Sequence, residues 1–325
     1  MKMKKLFFIS ILLMGLCSCE EKSSILVTEL GNDCINRYYY VPYIAGTEME
    51  FAYAMYMPKG SGRLDECSVT CSIPGAEGTY LDNYAYSTDD YGQDLPHKMG
   101  EPEIVEGNTH TVKFDVDTIA ATLRFHYMIP QEAKGKNVKF HFQVKAGSQT
   151  AVFDTPEYYV RKMDMKLDIP MTPQRCFFCM ETMKAYTAEE ADEAGVPIDF
   201  VWFYSTAFTA KDDRSVFANP ARIDNFSSFF SGELPNTDLR DSRKMYRYTI
   251  IEPQLGRQEF DGFYIDDRDF ETLELDCDSD GLIGINNRNG FWMETADAKY
   301  RAYVYCNSLS AEACKISVKR YKIKN

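Results

Sequence analysis

Met49-Glu50-Phe51-Ala52-Tyr53-Ala54-Met55-Tyr56-Met57 sets Met49, Phe51, Tyr53, Met55 and Met57 against Glu50, Ala52, Ala54 and Tyr56. Successive side chains of a strand point to opposite faces, so this period of two predicts a strand with one face in a core. The pattern recurs outward from it. Cys67 to Ile73 reads as a strand stopped by Pro74-Gly75, and Thr109 to Val116 alternates again. Leu123, Phe125 and Tyr127 oppose Arg124, His126 and Met128. Phe140, Phe142 and Val144 oppose Lys139, His141, Gln143 and Lys145, and Ala151 to Val160 closes the set. Pro130 and the turn Lys134-Gly135-Lys136-Asn137 join two of these strands. Short strands separated by turn signals, with no long helix, predict an immunoglobulin-like β-sandwich over residues 29–163.

Beyond Lys162-Met163-Asp164 a second β-rich unit is expected over residues 164–325, its entry stiffened by Pro170 and Pro173. Its strands are expected at Cys176–Tyr186, Ile198–Tyr204, Tyr246–Ile251, Glu259–Ile265, Gly290–Glu294, Lys299–Cys306 and Lys315–Ile323. Short helices fit Ala188–Ala194 and Asp266–Leu273, where Asp266-Asp267 favours the positive end of the helix dipole. Residues 207–243 read as a long irregular segment, a kind that is usually functional or poorly ordered. The expected fold class is therefore mostly β: two tandem β-sandwich-like domains, the second with one or two short helices.

The N-terminus carries an address. Lys2, Lys4 and Lys5 precede an uncharged apolar run, Leu6 to Leu16, and then Leu16-Cys17-Ser18-Cys19-Glu20-Glu21-Lys22. A basic start and a short apolar stretch make a secretory signal, too short to span a bilayer. The Leu-x-Ser-Cys ending resembles a bacterial lipobox. It implies a signal peptide over residues 1–18, Cys19 as the lipidated N-terminus and residues 19–28 as a lipidated tether. Glu20-Glu21 resembles the surface-export signal of Bacteroidetes lipoproteins. The implied location is the outer membrane, lipid-anchored and exposed at the cell surface. The formal charge of the whole chain is −13, and three lysines leave with the signal. A protein this acidic is repelled by nucleic acid and anionic headgroups, so membrane attachment comes from the acyl chains alone.

Five runs carry a wider resemblance. They are Glu50-Phe51-Ala52-Tyr53-Ala54-Met55, Ile73-Pro74-Gly75-Ala76-Glu77-Gly78-Thr79-Tyr80, Ile129-Pro130-Gln131-Glu132-Ala133-Lys134-Gly135-Lys136, Tyr264-Ile265-Asp266-Asp267-Arg268-Asp269-Phe270 and Glu294-Thr295-Ala296-Asp297-Ala298-Lys299-Tyr300-Arg301-Ala302-Tyr303. Together they are similar to a Bacteroidetes surface lipoprotein family of unknown function. The resemblance covers nearly the whole mature chain and implies an N-terminal immunoglobulin-like domain followed by a C-terminal β-rich domain. It transfers no catalytic residue. It also implies a reducing gut habitat, which weakens the disulfide reading that Cys34, Cys67, Cys71, Cys176, Cys179, Cys277, Cys306 and Cys314 otherwise invite.

Several residues are candidates for chemistry. Tyr80, Tyr84, Tyr86 and Tyr91 crowd one loop with Asp82, Asp89, Asp90 and Gln93. Tyrosine rings stack on sugars and carboxylates accept sugar hydroxyls, so Tyr84, Tyr86 and Tyr91 are expected to touch a ligand. Trp292, following Asn289-Gly290-Phe291, is a second candidate platform, whereas Trp202 sits in an apolar strand and reads as core. Asp276-Cys277-Asp278-Ser279-Asp280-Gly281 matches the opening of a calcium loop, with Asp276, Asp278 and Asp280 as ligands. Asn287 at the twelfth position supplies no bidentate carboxylate, which leaves a solvated acidic turn as the alternative. Cys176-Phe177-Phe178-Cys179 has metal or redox spacing but no second C-x-x-C, and its aromatics fit a strand. His126 and His141 fall on polar strand faces, where two imidazoles could hold a metal or simply be solvated. No cofactor is called for apart from calcium at the acidic loop.

The sequence contains no G-x-S-x-G, H-E-x-x-H or phosphate-binding glycine loop. The expectation is a surface-anchored, non-catalytic module whose partner is a polysaccharide or a surface protein. Two alternatives stay open. One is a glycoside hydrolase with a carboxylate pair in the C-terminal domain. The other is an adhesive, fimbria-like subunit completed by strand exchange.

Overall fold

The computed structural model describes residues 27–38, 41–102, 107–211, 214–242, 244–248, 250–258, 262–277 and 279–323. The signal peptide, Cys19 and all but the last two residues of the tether lie outside the described residues, as does Asp278. Among the described residues no helix is long and apolar enough to cross a membrane.

The first half is a sandwich of two antiparallel sheets. One sheet orders Gly31–Asn36, Glu48–Tyr56, Ala120–Met128 and Tyr80–Leu81. The other orders Gln149–Asp154, Phe140–Ala146, Glu66–Cys71, Thr109–Phe114 and Gly100–Pro102. The period-two pattern decides which faces meet: Met49, Phe51, Tyr53 and Met55 are buried, and so are Leu123, Phe125 and Tyr127 on the neighbouring strand. Between the sheets, Phe51 lies 4.8 Å from Phe140 and Tyr53 lies 4.8 Å from Phe142, ring centre to ring centre. The expected strand Ala151–Val160 breaks into Gln149–Asp154 and Tyr158–Tyr159, because Pro156 between them has no N–H for a ladder.

The second half also stacks two five-stranded antiparallel sheets. One orders Asp164–Met171, Cys314–Lys322, Tyr300–Leu309, Gly290–Glu294 and Lys244–Tyr248. The other orders Lys184–Tyr186, Phe177–Cys179, Phe200–Tyr204, Ser215–Ala218 and Gly281–Ile283. Phe291 of the first packs 5.8 Å from Phe200 and 5.1 Å from Phe217 of the second. The helix Ala188–Ala194 is fixed at both ends. Thr187 and Glu190 form a reciprocal capping box, and Gly195 takes the left-handed conformation at φ 58°. Asp267–Thr272 starts on a similar box between Asp266 and Asp269, and Pro253–Gly256 adds a single helical turn.

Three local expectations are corrected. Cys176–Tyr186 is a hairpin, Phe177–Cys179 against Lys184–Tyr186, reversing through Met183 at φ 49°. Residues 207–243 contain a fully buried strand, Ser215–Ala218, and the 3-10 turns Pro220–Phe226. Buried on both faces, that strand shows no alternation to read. Residues 262–265 form no strand, although one was expected over Glu259–Ile265; residues 259–261 lie outside the described ones. All eight described cysteines carry free thiols, with Cys306 and Cys314 the nearest pair at 3.8 Å between sulfurs.

The halves are locked together. Ile44 of the first half is buried among Leu255, Ile265, Trp292 and Tyr303 of the second. Asp267 accepts the backbone N–H groups of Lys162 at 2.7 Å and Met163 at 3.0 Å, which fixes the crossover. Asp164 is held between Lys134 of the first half and Arg320 of the second.

Candidate functional site

The tyrosine-rich segment is a β-hairpin, Tyr84–Thr88 against Asp94–Lys98, rather than a loop. Asp89 shapes its tip: the carboxylate accepts the N–H groups of Tyr91 at 2.9 Å and Gln93 at 2.7 Å, an Asx turn. Tyr91 is thereby left 89% exposed at the tip, with Tyr84 37% exposed nearer the sheet. The Tyr86 ring lies against Arg124 on the outer face of the first sheet. The Arg124 guanidinium sits 4.2 Å from the Tyr86 ring centre and donates to Asp94 at 2.7 Å. The Tyr86 hydroxyl donates to Asp82 at 2.9 Å, and that bond raises the phenol above its ordinary pKa.

Beneath the hairpin the sheet presents ordered rows. Ile35 pairs with Ala52 and Ala52 with Arg124; one row further along, Glu50 pairs with His126 and His126 with Tyr80. Arg37 joins this second row by donating to both oxygens of Glu50, at 3.1 and 3.0 Å. Tyr80 stacks on His126 at 4.5 Å, nearly parallel. Strands lie about 4.8 Å apart, so each row is a ladder of side chains at fixed spacing. A groove of about 330 Å³ runs between hairpin and sheet, lined by Ile35, Arg37, Ala52, Thr122 and Arg124. Apolar floor, planar cations, carboxylates and the Tyr86 ring all converge there. Glu48, Glu50 and His126 bring three metal-ligand atoms within 4.8 Å of one another. Glu50 is already engaged by Arg37, and His126 bonds Glu48.

The other sequence candidates go elsewhere. Trp292 is not an exposed platform: it is 6% exposed, packed 4.9 Å from Tyr303 and 5.3 Å from Phe270. Gly290–Glu294 is an interior strand, and the segments around Leu255 and Phe270 cover its outer face. At the acidic loop, Asp280 takes Arg222 on one oxygen at 2.8 Å and Asn225 on the other at 2.9 Å, while Asp276 is exposed. Asp280 thus braces the loop against Pro220–Phe226. His126 and His141 lie on different sheets, and His141 bonds Asp154 at 3.0 Å. Cys176 and Cys179 are buried, and burial pushes the Cys176 thiol up to about 12, where it is inert. Reading the sequence missed Arg37, Ala52 and Arg124. Alternation with core residues placed Ala52 and Arg124 on the outer face, but only the hairpin's return marks that face as lined.

Two family models match the chain. One described as Domain of unknown function (DUF4466) spans residues 27–160, and one described as Domain of unknown function (DUF8576) spans residues 161–323. The crystal structure of a DUF4466 family protein from Parabacteroides merdae is 38% identical, with a TM-score of 0.82 over 91% of this chain and 100% of that one. Two further solved structures are distant. The major pilin subunit of Bacillus cereus is 10% identical over 43% of this chain and 42% of that one, at a TM-score of 0.28. A conjugative transposon lipoprotein from Bacteroides eggerthii is 13% identical over 39% of this chain and 93% of that one, at 0.20. No curated protein matches the chain.

Proposed function

The chain belongs to the DUF4466 family, and from that premise we propose that it is a lipid-anchored cell-surface module that binds glycans without cleaving them. The observation that carries the reading is the Tyr84–Lys98 hairpin folded over the outer sheet face. Its tip holds Tyr91 in solvent, and its groove pairs Tyr86 with Arg124 above Ile35 and Ala52. An aromatic ring held in solvent on a stiff turn serves contact rather than packing. Arg124, Arg37 and Asp94 are oriented by their own ion pairs before any ligand arrives, which lowers the ordering cost of binding. The lipobox-like Leu16-Cys17-Ser18-Cys19 and the acidic pair after it support a surface location.

The test is retention of residues 24–325, which keep every described residue, on gels loaded with host and plant polysaccharides, with product analysis of the same mixtures. Retention that Tyr91→Ala and Arg124→Ala each weaken, without shortened products, is the expected result. Shortened products would replace the binding reading with the hydrolase one. No retention on any gel would move the site to a protein partner.

A further inference from the structure

A second hollow lies not under the hairpin but between the two halves. It measures about 610 Å³, within the range of small-molecule sites, which favour domain junctions. Tyr38, Pro42 and Tyr43 come from the first half, and Gln254, Gln258 and Tyr264 from the second. The wall is built in advance. The side-chain oxygen of Gln254 accepts the buried Lys319 ammonium at 2.6 Å, while its nitrogen donates to the Pro42 carbonyl at 3.1 Å. That pair of bonds fixes which way the amide faces and ties one wall to the other. Tyr43 is held by Asn36, which donates to its hydroxyl at 2.9 Å, and by the Tyr158 ring at 5.5 Å. Ile44 and Asp267 lock the junction immediately behind.

The charged groups at the rim already have partners. Arg37 is paired with Glu50, and Arg257 donates to Asp168 at 2.7 Å. Glu48, at the same rim, bonds His126. What the hollow offers a ligand is tyrosine and proline faces interleaved with planar amides, in a chain of net charge −13 that disfavours anions. Flat faces against ring carbons, with amides for hydroxyls, suit an uncharged polyhydroxylated molecule of drug-like size.

We propose that the junction between the halves is a second, separate binding site, taking a short neutral oligosaccharide that touches both halves at once. It extends glycan binding beyond the hairpin but rests on its own geometry, and its test separates the two. Neutral gluco-, manno- and galacto-oligosaccharides are titrated calorimetrically into residues 24–325 and into three variants. Tyr38→Ala removes a contact from the first half, Gln258→Ala one from the second, and Tyr91→Ala only the hairpin tip. Thermal melts confirm that each variant is folded; should Tyr38→Ala fail to fold, Pro42→Ala replaces it. The expected result is a binding event that each junction variant weakens about tenfold or more and that persists in Tyr91→Ala. Binding lost only with Tyr91→Ala, binding sensitive to one half alone, or no binding of any neutral oligosaccharide would each overturn the proposal. Polysaccharide retention through the hairpin is unaffected by that last outcome, so the two sites fail independently.

Discussion

Replacing Lys319 by methionine tests how the junction is built. Lys319 is fully buried and its ammonium donates to Glu252 at 2.5 Å, to Gln254 at 2.6 Å and to the Ile265 carbonyl at 2.9 Å. Glu252 is equally buried and also accepts the N–H groups of Leu255 at 2.8 Å and Ile265 at 3.2 Å. Methionine fills similar space, so the loss is chiefly electrostatic. It strands a carboxylate with two backbone donors and leaves two acceptors without their donor. Breaking a buried pair by deleting one partner costs about 3–5 kcal/mol. The two remaining donors to Glu252 place the expected loss near the lower end, about 3 kcal/mol. The double variant Lys319→Met with Glu252→Gln strands no charge and is expected to be more stable than Lys319→Met alone. Both tryptophans, Trp202 and Trp292, lie in the second half, so fluorescence-detected urea unfolding reads this region directly. Lys319→Met should lower the midpoint with an unchanged slope. A loss under about 1 kcal/mol, or a double variant worse than the single, would refute the claim that this pair holds the junction wall.

Three other predictions are independent of it. Burial raises the Asp199 carboxyl to about 6 despite its bonds to the Met180 N–H and to Arg240, so the folded protein holds this proton more tightly than the unfolded chain. The resulting stabilisation is fully present below about pH 4 and lost as pH rises through about 6; roughly two pKa units make it of order 3 kcal/mol. Urea midpoints between pH 4 and 7 should therefore show a fall that Asp199→Asn abolishes. Ile44→Ala empties a fully buried position at the junction and should cost about 2–5 kcal/mol in the same urea assay, whereas Ile35→Ala, 66% exposed, should change stability little. Trp292→Ala should cost about 3–5 kcal/mol in denaturation, and Trp292→Phe should leave polysaccharide retention intact, since the ring is packed in the core.

Legibility in the sequence followed how local the cause was. Strict alternation in Met49–Met57 and Leu123–Met128 named both the strands and their buried faces, because a sheet with one wet face writes its period into the chain. Helix Ala188–Ala194 likewise has local causes, its Thr187 cap and Gly195 stop being adjacent in sequence. Ser215–Ala218 was not, since burial on both faces erases the period. Trp292 shows the limit for sites: Asn289-Gly290 before it reads as a turn that exposes the ring, yet helices contributed by residues 253–256 and 267–272 close over it.

By itself, the sequence determined the class of the fold, two β-rich halves, and an N-terminal stretch resembling a lipoprotein signal, because periodicity, turn residues and processing signals act over a few neighbouring residues. The tertiary structure alone decided which side chains face one another. The hairpin's return onto Arg124 and the meeting of Pro42 with Gln254, 212 residues apart, depend on how sheets pack. Such contacts are selected by burial and hydrogen bonding summed over the whole fold, and no local pattern records them.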